Sequence, residues 1–305
     1  MLPTLAVTGA TGFVGGHLLD KAAVAGWRVR ALTRRAQPDR SGVSWIDGAL
    51  DRPDSLAALV QGADAVLHIA GVVNAPDRAG FEAGNVHGTL AVVEAAKAAG
   101  VRRFVHVSSL AAREPDLSVY GWSKARAEVI VQASGLDWTM VRPPAIFGPG
   151  DTEMFDLFRM AKHGVALLPP AGRMSAIFVR DLADLLLSLA ADQNASIGAT
   201  FEADDGRPNG WAHATFAKAL GRAFGRAHVS TLAVPELVLR LAARADGMVR
   251  RKAAKLTPDR ARYIAHPDWV VTDALRPPAD LWRAATPTPD ALRATADWYR
   301  ANGWL

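Results

Sequence analysis

Of the three tyrosines in this chain, Tyr120, Tyr263 and Tyr299, only Tyr120 has a lysine four positions later, Lys124. Positions i and i+4 share one face of a helix. An ammonium held there, beside the positive ring of an oxidised nicotinamide, favours phenolate and prepares the tyrosine for proton transfer near neutral pH. Tyr120 is thus a candidate proton donor to a carbonyl oxygen that receives hydride on its carbon, or acceptor in the reverse direction. Two hydroxyls, Ser108 and Ser109, follow the β-branched run ending at Val107, and either could bind the same oxygen. A second constellation lies near the start, where Thr8-Gly9-Ala10-Thr11-Gly12-Phe13-Val14-Gly15-Gly16 spaces glycines at 9, 12 and 15. Bare glycines permit a tight turn and let a pyrophosphate approach the N-terminus of the following helix, whose free N–H groups and dipole favour anions. About 20 residues on, where a carboxylate would hold the ribose hydroxyls of NAD, stand Arg34 and Arg35, with no carboxylate before Asp39. Two guanidinium groups suit a 2′-phosphate through bidentate hydrogen bonds, so NADP is expected ahead of NAD.

These groups must be positioned by alternating elements. Strands are expected at about 4–8, 28–33, 43–46, 65–70, 103–108 and 138–142, with helices at about 13–25, 53–61, 85–99 and 120–134. Several of the helices end at a glycine suited to a left-handed position (Gly26, Gly62, Gly100, Gly135). The rhythm is that of βαβ units in a doubly wound, Rossmann-type parallel α/β sheet. It breaks after Pro143-Pro144, where prolines and glycines mark turns and longer helices follow near 181–191, 211–224, 235–245 and 289–300. The chain is therefore divided into a dinucleotide-binding domain, 1–150, rejoined by a segment at about 176–192, and a smaller, mostly C-terminal α+β substrate lobe, 151–305.

Composition narrows the chemistry. The 305 residues include no cysteine, which removes disulfides, thiolate metal sites and cysteine nucleophiles and leaves redox work to a borrowed cofactor. The eight histidines show no metal-ligand spacing, so no metal is expected. His68 and His106, inside apolar runs, read as satisfied interior residues. The net charge of +5 is spread along the chain and points to no nucleic-acid partner. No apolar stretch reaches the roughly 20 residues of a membrane span, and Met1-Leu2-Pro3-Thr4 does not resemble a secretory signal, so a cytoplasmic protein is expected. The segment 232–255 is amphipathic and basic, and reads as a solvated helix of the second lobe ahead of a lid or a membrane-surface contact.

Taken together, the glycine loop, Gly62-Ala63-Asp64-Ala65-Val66-Leu67-His68-Ile69-Ala70-Gly71, Asn85-Val86-His87-Gly88-Thr89, Phe104-Val105-His106-Val107-Ser108-Ser109, Tyr120-Gly121-Trp122-Ser123-Lys124, Val141-Arg142-Pro143-Pro144-Ala145-Ile146-Phe147-Gly148-Pro149-Gly150-Asp151 and Ile177-Phe178-Val179-Arg180-Asp181-Leu182-Ala183 resemble the extended, epimerase/dehydratase-like branch of the short-chain dehydrogenase/reductase superfamily. The resemblance implies Ser109, Tyr120 and Lys124 as catalytic residues. It implies Gly9, Gly12, Phe13, Val14 and Gly15 around the pyrophosphate and Arg34 at the 2′-phosphate. Ala70 and Gly71 would line the cofactor, Pro143 and Ile146 would border the nicotinamide, and Lys124 would also bond its ribose. It further implies a homodimer. Two departures stand out: Gly48-Ala49-Leu50 lacks the aspartate that many relatives use at adenine, and Leu110 stands where sugar dehydratases begin an Asp-Glu pair. Three functions follow in order: an NADP-dependent carbonyl reductase or alcohol dehydrogenase, a nucleotide-sugar epimerase with tightly held NAD, and a non-catalytic nucleotide-binding assembly or sensor protein.

Overall fold

The structure, a computed structural model, describes residues 2–192, 194–235, 237–238, 241 and 257–305. The chain folds as two compact units. The first comprises Met1–Arg142, Leu182–Glu202 and Pro277–Trp282, and the second Pro143–Asp181, Ala203–Arg276 and Arg283–Leu305. The division thus falls at Arg142, not at residue 150, and the returning segment runs on to Glu202.

In the first unit, β1 (Thr4–Thr8), β2 (Arg28–Thr33), β3 (Val43–Asp47), β4 (Ala65–His68), β5 (Arg103–Val107) and β6 (Asp137–Val141) join a short strand, Thr200–Phe201, in one seven-stranded sheet. Its order is Thr200–Phe201, β6, β5, β4, β1, β2, β3, every pair parallel. Parallel strands covered on both faces read as continuous apolar runs, and β1, β4 and β5 are buried throughout. The helices of this unit include α1 (Phe13–Val24), α2 (Pro53–Val60), α3 (Arg78–Phe81), α4 (Gly88–Ala98) and α5 (Val119–Gln132), and most of the helix Val179–Ala191 returns to it. Ala6, Val66, Phe104 and Met140 project from successive strands into one cluster with Leu56 and Leu59 of α2, Val92 and Val93 of α4 and Val131 of α5. Alternate strand residues point to the other face. There Arg103 meets Leu189, and Lys21 of α1 pairs with Asp184 at 2.8 Å. The four glycines expected to close helices all have positive φ, between +67° and +77°.

The expected helix at 85–99 begins earlier. It runs from α3 through a widened π turn, Glu82–His87, into α4. Packing explains the widening: a Cβ at Gly84 would lie 2.3 Å from Val72 Cγ2, and Asn85 is drawn inward to bond the Val72 backbone. The strand Thr200–Phe201 lies outside the expected set, because two residues carry no periodicity. It exists because Met140 N donates to Ala199 O and Arg142 N to Phe201 O.

Among the described residues, the second unit contains three small sheets. Ala145–Phe147 pairs with Ala176–Phe178, Val165–Leu168 pairs with Ser230–Ala233, and Arg173–Met174 lies between Trp211–Ala212 and Asp268–Trp269. Its helices include Phe155–Lys162, His213–Ala223, Pro258–Ala265 and Thr288–Ala301. Tyr299 is buried among Phe155, Phe158 and Trp304 and donates to Asp151 O at 2.7 Å, which gives it a structural role. Most of the segment 232–255, and the helix expected at 235–245, lies outside the described residues. Among the described residues no helix is long and apolar enough to cross a membrane.

Candidate functional site

The turn from β1 into α1 leaves no space for side chains. A Cβ on Gly9, whose φ is +76°, would stand 2.6 Å from Ala70 N, and one on Gly15 would stand 2.1 Å from Gly9 O. Gly12 N donates to Gly9 O at 3.0 Å, and Gly12 caps α1 with extended backbone and no side-chain acceptor. The amides of Phe13, Val14 and Gly15 therefore open a helix whose first turn lacks internal acceptors and carries no acidic residue. Bare backbone donors at a positive dipole end fit the pyrophosphate of a dinucleotide. Ala70, two residues past β4, closes against this loop, with its N–H directed at Thr8 Oγ1 at 3.3 Å.

At the end of β2 the buried Thr33 forms a tight turn. Its hydroxyl donates to Arg35 O at 2.7 Å. Arg34 and Arg35 stand exposed on this turn, and neither enters an ion pair among the described residues. Where relatives place an aspartate after the glycine, Ser55 Oγ bonds both the N and O of Ala49, and a Cβ on Gly48 would meet the Ser55 side chain at 2.2 Å.

The residues expected to transfer protons converge from two elements. Ser118 caps α5 by accepting from Gly121 N at 3.0 Å, which places Tyr120 in the first helical turn and Lys124 one turn later. Gly121 sets how closely α5 approaches the turn after β5, because a Cβ there would lie 2.7 Å from Ala111 O. Lys124 is buried, and its ammonium donates to Val107 O, the last residue of β5, at 2.8 Å. A Cβ on Gly71 would come within 3.6 Å of Lys124 Nζ and 3.2 Å of Asn85 Oδ1, so Gly71, Lys124 and Asn85 meet. Tyr120 is half-buried, with its ring 6.2 Å from that of Phe81.

The two serines part company. Ser108 is buried and donates to Glu128 Oε1 at 2.6 Å, and Arg142 grips the same carboxylate with two bonds of 2.8 and 2.6 Å. Glu202, fully buried, lies 3.5 Å from Arg142 and 3.8 Å from Arg113. Ser109 instead caps the short turn Leu110–Arg113, accepting from Ala111 N at 3.2 Å. A hydroxyl used as acceptor keeps its own proton for another oxygen. Pro143 and Ile146 belong to the second unit, where Ile146 pairs with Ile177.

Electrostatics follow burial. Lys124 is lowered to about 8 because desolvation penalises the ammonium, with Glu128 pulling the other way. His68 falls to about 3, by desolvation first and by Lys124 second, and is neutral. Its tautomer follows from its neighbours. Thr89 Oγ1 donates to Asn85 O at 2.6 Å and so accepts from His68 Nε2, while Thr8 Oγ1 donates to Nδ1 at 2.6 Å. His68 is thus the satisfied interior residue expected. His106 is not: it stacks on His68 at 5.3 Å, is held well below its ordinary value by desolvation, and has no hydrogen-bond partner on either ring nitrogen. The β-sheet register that sets His68 beside His106 puts both rings in the apolar sheet interior, where no polar neighbour reaches the second.

Asn85, outside the residues expected at the site, joins it in the structure. Its amide clamps the Val72 backbone at 2.6 and 2.9 Å and donates to Ser123 Oγ at 2.8 Å, which joins the loop after β4 to α5. The π turn that points it inward was the missing signal, and such turns often mark functional positions.

Comparison with known proteins agrees with this geometry. The NAD(P)H-binding family matches residues 9–193. The chain is 36% identical to the ceramide reductase of Caulobacter vibrioides over 314 aligned positions, covering 99% of this chain and 96% of that protein. It is 35% identical over 170 positions to the 4-hydroxy-2-methyl-3-oxo-4-farnesyl-3,4-dihydroquinoline-1-oxide ketoreductase of Stigmatella aurantiaca, with 48% of this chain and 51% of that protein covered. Among solved structures, the Bordetella bronchiseptica enzyme WbmH in complex with NAD+ superposes with a TM-score of 0.75 at 19% identity, covering 99% of this chain and all of that one (100%), a likeness of fold. The match over more than half the chain, the full-length relative and the seven-stranded parallel sheet together make this protein a member of the extended short-chain dehydrogenase/reductase family, an NAD(P)-dependent enzyme.

Proposed function

We propose that this enzyme reduces a ketone on a long-chain lipid of the ceramide type, with NADPH as hydride donor and Tyr120 as proton donor. The observation that carries the chemistry is the placement of Lys124, on the Tyr120 face of α5, with its ammonium pinned to the end of β5 and beside Gly71. When bound, the reduced nicotinamide supplies a hydride to the carbonyl carbon. Ser109 donates its free proton in a hydrogen bond to the carbonyl oxygen. Tyr120 transfers its phenolic proton to that oxygen as charge develops, and the Lys124 ammonium stabilises the phenolate left behind. Solvent then reprotonates Tyr120. Glu128, held by Ser108 and Arg142, fixes the strand end from which Ser109 projects.

Support for NADPH comes from Arg34 and Arg35, exposed on the turn after β2 where an NAD site places a carboxylate. Support for an apolar ketone comes from the names of two relatives, one a ceramide reductase and one a ketoreductase of a farnesyl compound. The test is absorbance loss of NADPH with a keto-ceramide, against NADH and against UDP-glucose. The expected result is turnover with the lipid, a fall of about 10²–10⁴-fold in Tyr120→Phe with NADPH affinity unchanged, and a narrowed preference over NADH in Arg34→Ala. Equal turnover by Tyr120→Phe sinks the proton-transfer role, preference for NADH sinks the role of Arg34, and conversion of UDP-glucose replaces reduction by epimerisation.

A further inference from the structure

Apolar side chains scattered singly over a protein surface are ordinary, whereas a contiguous group marks an interaction site. Among the described residues, thirteen large hydrophobic side chains are exposed; Val165, Leu167 and Leu232 belong to one two-stranded ribbon of the second unit, and Leu237, Val238 and Leu241 follow it in the chain. Val165–Leu168 and Ser230–Ala233 form a two-stranded parallel ribbon that no third strand extends among the described residues. Ala166 and Leu168 face inward and pack with Ala217 and Val229. Strand alternation therefore turns Val165 and Leu167 outward. The register sets Leu167 directly opposite Leu232, and these two are 54% and 63% exposed. The chain leaves the ribbon through Pro235 and presents Leu237, Val238 and Leu241 to solvent as well.

The surroundings are basic. Arg226 Nε donates to Lys162 O at 2.8 Å, which sets both residues at the start of the ribbon, and Arg222 and His228 are exposed nearby in the chain. In sequence the bias is stronger: residues 222–255 hold eight arginines and lysines against two carboxylates. Part of that stretch lies outside the described residues and enters by its charge alone. With a net charge of +5 for the whole chain, the remainder nets to −1.

We propose that this face docks on the surface of an anionic lipid bilayer, with Leu167 and Leu232 entering the headgroup boundary and Lys162, Arg222 and Arg226 meeting phosphate. Apolar side chains rimmed by arginine and lysine are the composition of a segment that lies in a membrane interface, and neither feature alone would suffice. A second copy of this chain is a poorer occupant, because self-association through this face would set one positive rim against another. None of the residues involved is assigned to the cofactor or to proton transfer, so the docking surface stands or falls apart from the substrate.

The test is co-sedimentation of the purified full-length protein with vesicles of phosphatidylcholine mixed with phosphatidylglycerol, and with vesicles of phosphatidylcholine alone. The expected result is binding to the anionic vesicles that weakens by about tenfold at 0.5 M salt, where the Debye length falls to roughly 4 Å. Leu167→Ser combined with Leu232→Ser, and separately Arg226→Glu, are each expected to lose most of the binding while the NADPH-dependent thermal shift is retained. Absence of binding to either vesicle overturns the proposal, as does binding indifferent to these substitutions. A dimer in light scattering that dissociates in the double variant also overturns it, by assigning the face to a second copy.

Discussion

Lys124 shows how one residue is set by opposing forces. Its charge is what the proposed chemistry uses, and its burial is what makes that charge expensive. Because desolvation lowers it to about 8 from the usual 10.5, the ammonium is present below about pH 8 and lost above. Ketone reduction is therefore expected to fall as pH rises through about 8, read as a single alkaline limb in kcat. Lys124→Met removes the limb and lowers turnover at every pH. The stability sign is opposite: a folded value below the unfolded one means the unfolded chain binds more protons between about 8 and 10.5, so this group adds stability as pH rises through that window. At pH 7 Lys124→Met is expected to be more stable than wild type by about 2 kcal/mol in urea unfolding, the relieved cost of a buried charge offset in part by the lost bond to Val107 O. Tyr120 and Lys124 were legible in the sequence because i and i+4 is a helical rule. The choice of Ser109 over Ser108 by geometry was not, since it depends on Glu128 and Arg142 arriving from other elements to claim Ser108.

Between elements, the decisive features are close approaches. Gly121 lets α5 lie against the turn after β5, and the Cβ of an alanine would need to displace Ala111 O from 2.7 Å. Gly121→Ala is expected to keep the fold and the NADPH-dependent thermal shift but to lower kcat by about 10²-fold, the usual effect of displacing a reacting group by about an ångström. Unchanged kcat in a folded Gly121→Ala variant would show that the spacing of α5 does not set the proton-transfer geometry. The alternation of strands and helices over the first 142 residues was legible because period and glycine stops are local properties. The π turn at Glu82–His87 was not, because it is imposed by Val72, a residue of another segment.

At the scale of the molecule, a buried arginine stitches the returning segment onto the sheet. Arg103, fully enclosed, donates to Leu189 O, Asp137 O, Thr139 Oγ1 and Ser196 Oγ. Arg103→Ala strands these acceptors and leaves a void, so a loss of about 3 kcal/mol or more is expected in urea unfolding. A loss below about 1 kcal/mol would mean that water replaces the guanidinium without cost. By itself the sequence determined the Rossmann-type sheet, the glycine cradle and the Tyr120–Lys124 pair, because each follows from spacing along a single element or turn. Only the tertiary structure decided which serine is claimed by Glu128, that Asn85 joins a loop to α5, that His106 is buried without a partner and that a positively charged chain sets its apolar ribbon outward. Those features depend on which residues distant in sequence come together, and no local period records that.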